Sequence, residues 1–262
     1  MAERRARGAA PARRAPDQHF LSSSRLAAAL VADACVQDTD LVVEIGAGTG
    51  RLTSPLAERA RAVWAIEVDP VLAERLRRRF HAQPNVEIIE GDALRVRLPS
   101  EEFRVVANVP FGCTGAILRR LLDDPHVPLA RADVIVEWGV ARKRTTCWPS
   151  TLLNVTRGAR YEFVLVRRLP ARCFEPAPRV DAALLSIRRR PVPLVPQQET
   201  EAFRALVAAG FRSGVRRTVA ARLPRRRFGQ LAHELGFATA AAARDLDLHQ
   251  WVELHRAVRS MR

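Results

Sequence analysis

Residues 40–50 read Asp-Leu-Val-Val-Glu-Ile-Gly-Ala-Gly-Thr-Gly. This is an apolar, β-branched run that breaks into glycines ahead of a helical stretch expected to reach about Arg61, with Pro55 in its first turn. A buried strand that turns through glycine into a helix is how a doubly wound α/β sheet begins, and it restricts the fold more than any other stretch. The glycines let the backbone approach a ligand closely, and the helix N-terminus favours negative charge. Spacing narrows the ligand. Gly46, Gly48 and Gly50 read G-x-G-x-G, and Arg51 stands where a dinucleotide fingerprint would place its third glycine. The pyrophosphate reading therefore loses ground.

Three further strands complete a pattern. Ala62 to Val68 carries Glu67 at its end, Val86 to Glu90 runs into Gly91-Asp92-Ala93, and Val105-Val-Ala runs into Asn108-Val-Pro-Phe111. Gly46, Glu67, Asp92 and Asn108 thus fall at successive carboxyl ends, where ligands of such sheets bind. Glu67 can accept from both hydroxyls of a ribose and Asp92 from the amino group of an adenine. Either acid alone reads equally as a solvated strand cap; together with Gly46 and Asn108 they outline one site. Asn108 offers a neutral acceptor, and Pro110 stops the ladder so that the Val109 carbonyl can point outward. Two acceptors beside the ring of Phe111 suit an exocyclic amine on a flat base, and adenine N6 is the obvious candidate. The plainer reading is a strand end, a proline turn and a core phenylalanine.

Charge names the partner. Among 262 residues, 43 are basic and 28 acidic, a formal net charge of +15, with a pI near 11.4, which points to a polyanion and first of all to nucleic acid. Lys143 is the only lysine, so the sign of the charge is informative while the preference for arginine can reflect codon bias. Cys35, Cys113, Cys147 and Cys173 are widely spaced and have no histidine in zinc-ligand register, so no metal site is expected. With no apolar run of membrane-spanning length and no secretory signal, a cytoplasmic protein is expected.

Residues 1–16, with Arg4, Arg5, Arg7, Arg13 and Arg14 and nothing to pack, read as a basic disordered tail that can lie along a phosphate backbone. Gln18-His-Phe-Leu21 precedes three serines that cap a helix from Arg25 to Ala34, with Phe20 and Leu21 as a hydrophobic staple. Later strands are expected near Asp133–Trp138, Tyr161–Arg167 and Ala182–Arg188, the last two antiparallel at one end of a seven-stranded sheet. Arg142, Lys143 and Arg144 follow the fifth strand, either near the site or as a solvated helix start. Pro191, Pro193 and Pro196 mark a linker, so a catalytic domain is expected over residues 17–190 and a small all-helical one over 191–262. Helices are expected at about Glu199–Phe211, Gly214–Leu223, Arg225–Leu235 and His249–Arg259. Arg216, Arg217, Arg222, Arg225, Arg226 and Arg227 crowd that region as a surface for RNA phosphates or as a generic basic face.

The ordered set QHFL at 18–21, EIGAGTG at 44–50, Glu67-Val-Asp69, Gly91-Asp-Ala93, Asn108-Val-Pro-Phe111 and Phe174-Glu-Pro-Ala-Pro-Arg-Val-Asp181 resembles the rRNA adenine N6-methyltransferases. Within them it is most similar to the erythromycin-resistance (Erm) enzymes that modify 23S rRNA. The 16S rRNA dimethyltransferases share the motif order and stay open as the alternative; a non-catalytic RNA-binding relative and a small-molecule methyltransferase fit less well. The resemblance implies a class I, Rossmann-like methyltransferase fold, S-adenosylmethionine as cofactor, 23S rRNA (free or in a partly assembled particle) as partner, a monomer, and macrolide-type antibiotic resistance. It implies a cofactor site at Gln18, His19, Leu21, Glu44, Gly46, Gly48, Glu67, Val68, Asp92, Ala93 and Asn108, and a catalytic motif at Asn108, Val109, Pro110 and Phe111. Two positions depart from the family pattern: His19 replaces the usual Asn, putting one hydrogen bond in question, and Phe111 replaces the commoner Tyr but keeps the stacking face.

Overall fold

The computed structural model of the protein describes residues 18–260; the basic segment expected at residues 1–16 lies outside them. Its opening strand β1 (Phe20–Leu21) is followed by α1 (Ser24–Asp33) and then by alternating strands and helices. These are β2 (Leu41–Ile45), α2 (Thr53–Ala57), β3 (Ala62–Glu67), α3 (Pro70–Phe80), β4 (Val86–Glu90), β5 (Phe103–Asn108), α4 (Thr114–Leu122) and β6 (Leu129–Glu137). Next come α5 (Trp138–Thr145), α6 (Leu152–Gly158), β7 (Tyr161–Leu169), β8 (Phe174–Glu175) and β9 (Ala182–Arg189). Seven strands form one sheet in the order β4-β3-β2-β5-β6-β9-β7. From β4 to β6 all neighbours are parallel, and β9 runs antiparallel to both β6 and β7. The chain leaves β2 for β3 and β4 and returns on the other side of β2 as β5. That reversal makes the crevice beyond the ends of β2 and β5 the natural ligand site.

The central strands are mostly apolar because both faces are covered. Val43, Val105, Ala107 and Val134 face α4, where Ile117, Leu118 and Leu121 meet them. Val42, Val63, Val106 and Ile135 face α1 through Ala27, Leu30 and Val31. Two ion pairs are sunk in this frame. Arg131 Nε lies 2.7 Å from the fully buried Asp133, and Arg104 bonds Asp40 at 2.5 Å and the carbonyl of Cys35 at 2.8 Å.

Three expectations need adjustment. The helix after the glycines ends at Ala57 rather than near Arg61, because the Asn85 side-chain amide takes the carbonyls of Ala57 and Ala60 at 2.9 and 3.1 Å and stops further winding. The strand expected from Asp133 begins at Leu129, whose partner is Phe103. Phe20 and Leu21 do more than staple α1, since they pair antiparallel with Glu175 and Phe174 of β8.

The helices α7 (Thr200–Ser213), α8 (Val215–Val219), α9 (Arg225–Glu234) and α10 (Leu248–Ser260) share a core around Phe203, Val207, Phe228 and Trp251. Val155 and Ala159, from α6 and its end, belong to that same core, so its packing crosses the proline-marked boundary at residue 190. Among the described residues no helix is long and apolar enough to cross a membrane.

Gly210 of α7 lies under the buried Trp251, and a Cβ there would sit 2.2 Å from Cη2 of that indole. Alanine ordinarily helps a helix by about 1 kcal/mol over glycine. Here overpacking should win, so Gly210→Ala should destabilise the protein by about 1–3 kcal/mol. A lowered thermal midpoint is expected; an unchanged or raised one would contradict this packing.

Candidate active site

Beyond the ends of β2, β3, β4 and β5 lies a cavity of about 340 Å³, within the span of roughly 300–1,000 Å³ typical of small-ligand pockets. Every residue of the cofactor set implied by the motifs lines it, from Gln18 and His19 to Ala93 and Asn108. Of the catalytic motif, Asn108 and Pro110 line it, while Val109 and Phe111 do not.

The glycine turn brings the backbone in. Gly46 has φ +75° and Gly48 φ +56°, and a Cβ on Gly48 would meet the Phe20 ring at 2.8 Å. Only glycine therefore lets β1 lie across this loop as a roof. Glu67 is 2% exposed. Its Oε2 accepts from the Gly48 amide at 2.7 Å and its Oε1 from the Asp69 amide at 2.9 Å. Each carboxylate oxygen has a second lone-pair direction, so the group still has capacity for hydroxyl donors. Asp92 accepts from the Leu94 amide at 2.8 Å through Oδ1. Between these acids sit Val68 and Leu94, 63% and 41% exposed, apolar side chains left open on the cavity wall beside Ala93. That combination of acids and bare apolar plates fits a nucleoside, whose ribose and amine need acceptors and whose ring needs a dry surface.

Glu44 also lines the cavity, yet it is 1% exposed and its Oε2 accepts from the Thr53 hydroxyl at 2.6 Å. It ties β2 to the first turn of α2. Burial pushes its carboxyl up from 4.5 to about 8, the Thr53 hydrogen bond opposes this, and the nearby Glu67 charge adds to it.

At the end of β5 the Asn108 amide donates from Nδ2 to the His19 carbonyl at 2.8 Å. A carbonyl only accepts, so the NH2 edge must face it and Oδ1 is left as the acceptor for another partner. His19 in turn donates from Nδ1 to the Pro176 carbonyl at 2.8 Å, so its side-chain hydrogen bond goes to the Phe174–Asp181 segment. Among the described residues no turn amide or side chain bonds the Val109 carbonyl, while that of Pro110 accepts from Cys113 at 2.9 Å. The Val109 side chain is core, 2% exposed. Phe111 is half-buried, rests partly on the core beneath α1, and lies 5.7 Å from the His19 ring.

Arg51, Phe20, Leu94, Cys113 and Ile117 line the cavity as well and were not named as site residues from sequence. Arg51 is the one permanently charged cation among the lining residues. Its position in the motif, where a glycine was sought and not found, was the available signal.

The basic residues divide. Arg142 and Lys143 are exposed on the last turn of α5, whereas Arg144 is half-buried and donates to Asn154 Oδ1 at 3.2 Å. Arg217, Arg222, Arg225 and Arg226 are exposed on α8, α9 and the turn between them. Arg216 lies over the Phe228 ring at 5.4 Å and Arg227 pairs with Glu234 at 3.4 Å, so these two have structural partners inside the helical unit.

A family model described as ribosomal RNA adenine dimethylase matches residues 10–258. The chain belongs to that family. Its chemistry is therefore that of an rRNA adenine N6-methyltransferase, a class that draws its methyl group from S-adenosylmethionine. It is 36% identical over 195 residues to the rRNA adenine N-6-methyltransferase of Corynebacterium diphtheriae, an alignment covering 74% of this chain and 75% of that one. It is 31% identical over 246 residues to the enzyme of that name from Saccharopolyspora erythraea, covering 92% of this chain but 64% of the longer relative. The mycinamicin-resistance protein MyrB of Micromonospora griseorubida is 34% identical over 223 residues, 84% of this chain and 70% of MyrB. Among solved structures, the 23S rRNA methyltransferase ErmE superposes with a TM-score of 0.82 at 30% identity, covering 92% of this chain and 99% of ErmE.

Glu44 provides a test of the site's electrostatics. Its folded value of about 8 lies above the ordinary 4.5, so the folded state holds a proton that the unfolded chain releases. Stability should then fall as pH rises through that window, by up to about 1.4 kcal/mol per unit. Glu44→Gln, which cannot ionise, should gain on the wild type steadily from pH 5 to pH 8 in chemical-denaturation curves. Parallel pH profiles for the two proteins would contradict a protonated Glu44.

Proposed function

We propose that this protein, acting as a monomer in the cytoplasm, transfers methyl groups from S-adenosylmethionine to N6 of an adenine in 23S rRNA and so confers macrolide-type resistance. The observation that carries this reading is the likeness to ErmE over 92% of the chain, joined to the Asn108 acceptor at the cavity's edge. MyrB, a resistance protein by name, supports the physiological part.

S-adenosylmethionine, when bound, supplies an electrophilic methyl on a sulfonium centre. Glu67 would accept from its ribose and Asp92 from its adenine amine, while Val68, Ala93 and Leu94 cover the ring. Arg51 has the sign required by the carboxylate of the methionine part. Asn108 Oδ1 and the Val109 carbonyl accept the two N–H bonds of the target amine and turn its lone pair out of ring conjugation. Phe111 offers a face for the flipped base, whose extrusion from an RNA loop is cheap. A strong general base is not needed, because holding and polarising the amine is the main task. The exposed arginines of α5, α8 and α9 would hold phosphates, which supply affinity without sequence information.

The test is incubation with labelled cofactor and protein-free 23S or 16S rRNA, followed by mapping of the modified base. Label on one adenine N6 of 23S rRNA is expected. Label confined to 16S rRNA would overturn the 23S reading in favour of a small-subunit dimethyltransferase. In the same preparation Glu67→Ala should weaken cofactor binding by about 1–3 kcal/mol, the cost of leaving buried polar partners unmatched. Calorimetry showing wild-type affinity would remove Glu67 from the site.

A further inference from the structure

Away from the cavity, a second hollow of about 580 Å³ opens where the catalytic sheet's last helices meet the helical unit. Lys143 at the end of α5, Ser150 and Thr151 ahead of α6, Phe211 of α7, and Arg244 line it, and no acidic side chain does. Its walls are fixed. The Ser150 amide donates to the Arg244 carbonyl at 2.9 Å, and the Ser150 hydroxyl and Trp251 Nε1 both donate to the Ala243 carbonyl, at 3.4 and 3.3 Å. Phe211 is stacked on Trp251, with ring planes 18° apart. Beside the hollow, next in chain to Pro149 of its lining, Trp148 is 55% exposed.

Trp148 sits in a loop whose neighbour Ser150 is tied down, so its indole presents an open face beside the hollow to which a flat ring can stack. Two cations that form no ion pair among the described residues, at a rigid hollow, suit a phosphate, and an aromatic face beside them suits a base. An apolar protein segment would leave Lys143 and Arg244 desolvated without partners. We infer that this hollow docks an unpaired nucleotide of the RNA substrate at a distance from the target adenine. Its phosphate is held between Lys143 and Arg244, and its base lies on Trp148. Such a contact reads the shape of the RNA around the target, because it demands a second splayed-out base at a fixed distance. The inference rests on the proposed action on rRNA.

The test uses the full chain with protein-free rRNA fragments carrying the unmethylated target adenine, with binding read by anisotropy across a salt series. Trp148→Ala should weaken RNA binding by about 5- to 150-fold, the equivalent of one lost stacking platform. Trp148→Phe should keep most of the affinity. Lys143→Glu combined with Arg244→Glu should flatten the salt dependence by at least one to two phosphate contacts, about 0.7–0.9 in slope for each. Cofactor affinity and melting temperature should not move, which separates lost docking from lost folding. Wild-type RNA affinity in Trp148→Ala, or an unaltered salt slope in the charge variant, overturns the inference. So does a defect seen only on particles that carry ribosomal proteins, which would assign the hollow to an acidic protein surface. A wild-type protein that binds RNA through Trp148 but methylates no adenine in it would sink the functional reading and leave the docking site standing.

Discussion

The hydrogen bond from Asn108 Nδ2 to the His19 carbonyl decides what the end of β5 can do. Without it the amide could present either edge to the cavity, and an NH2 edge would repel the donor amine that we propose Asn108 holds. The bond exists only while residues 18–21 lie over the glycine turn, and three contacts keep them there. The Phe20 ring closes against Gly48, β1 pairs with β8, and His19 Nδ1 reaches the Pro176 carbonyl. A segment some seventy residues downstream of Asn108 thereby sets its orientation. Asp181 secures that segment by accepting from the Ala171 amide at 3.0 Å and pairing with Arg168 at 2.7 Å. The motif spread over the chain is thus one mechanical unit, in which a strap, an anchor and an acceptor are assembled across the topological switch point.

Acids and arginines play different parts around the cavity and on the surface. The carboxyl groups of Glu44 and Glu67 lie against the glycine turn, where each is engaged by hydroxyl or amide donors, and exposed arginines are found on α3, α5, α8 and α9 among other elements. A buried acid without such donors would cost several kcal/mol, and Glu44 meets that cost in part by keeping its proton. The outer cations face water and cost little until a polyanion displaces their counterions. The cavity's acids suit a cationic ligand and the exposed arginines a polyanion, with Arg51 the permanent cation inside the cavity.

Much of this was readable in the sequence because the fold's periodicity places chemistry at strand ends. The apolar runs ending at Gly46, Glu67, Asp92 and Asn108 identified the cavity, since a parallel sheet puts all its carboxyl ends on one side. What escaped lay in long-range pairing. Nothing local to Phe20 and Leu21 says that they pair with β8, and the staple reading used only the helix that follows them. The core shared by α6 and the helical unit escaped for a similar reason: the three prolines mark a change in the chain's path, whereas Val155 and Ala159 pack across it. The cluster of arginines near residue 220 was visible, but composition could not say that Arg216 would lie on Phe228 while Arg217 stayed in water. Arg51 was noticed only as the glycine that was missing.

The claim on which the account turns is that Asn108, oriented by the strap, polarises the target amine. Single-turnover methylation by Asn108→Ala, with cofactor and RNA both saturating, tests it most directly. The account predicts a rate lower by about two to three orders of magnitude, the usual loss for one preorganised transition-state partner, with RNA affinity little changed because phosphates supply it. A rate close to that of the wild type, measured on folded protein with both ligands bound, would contradict it.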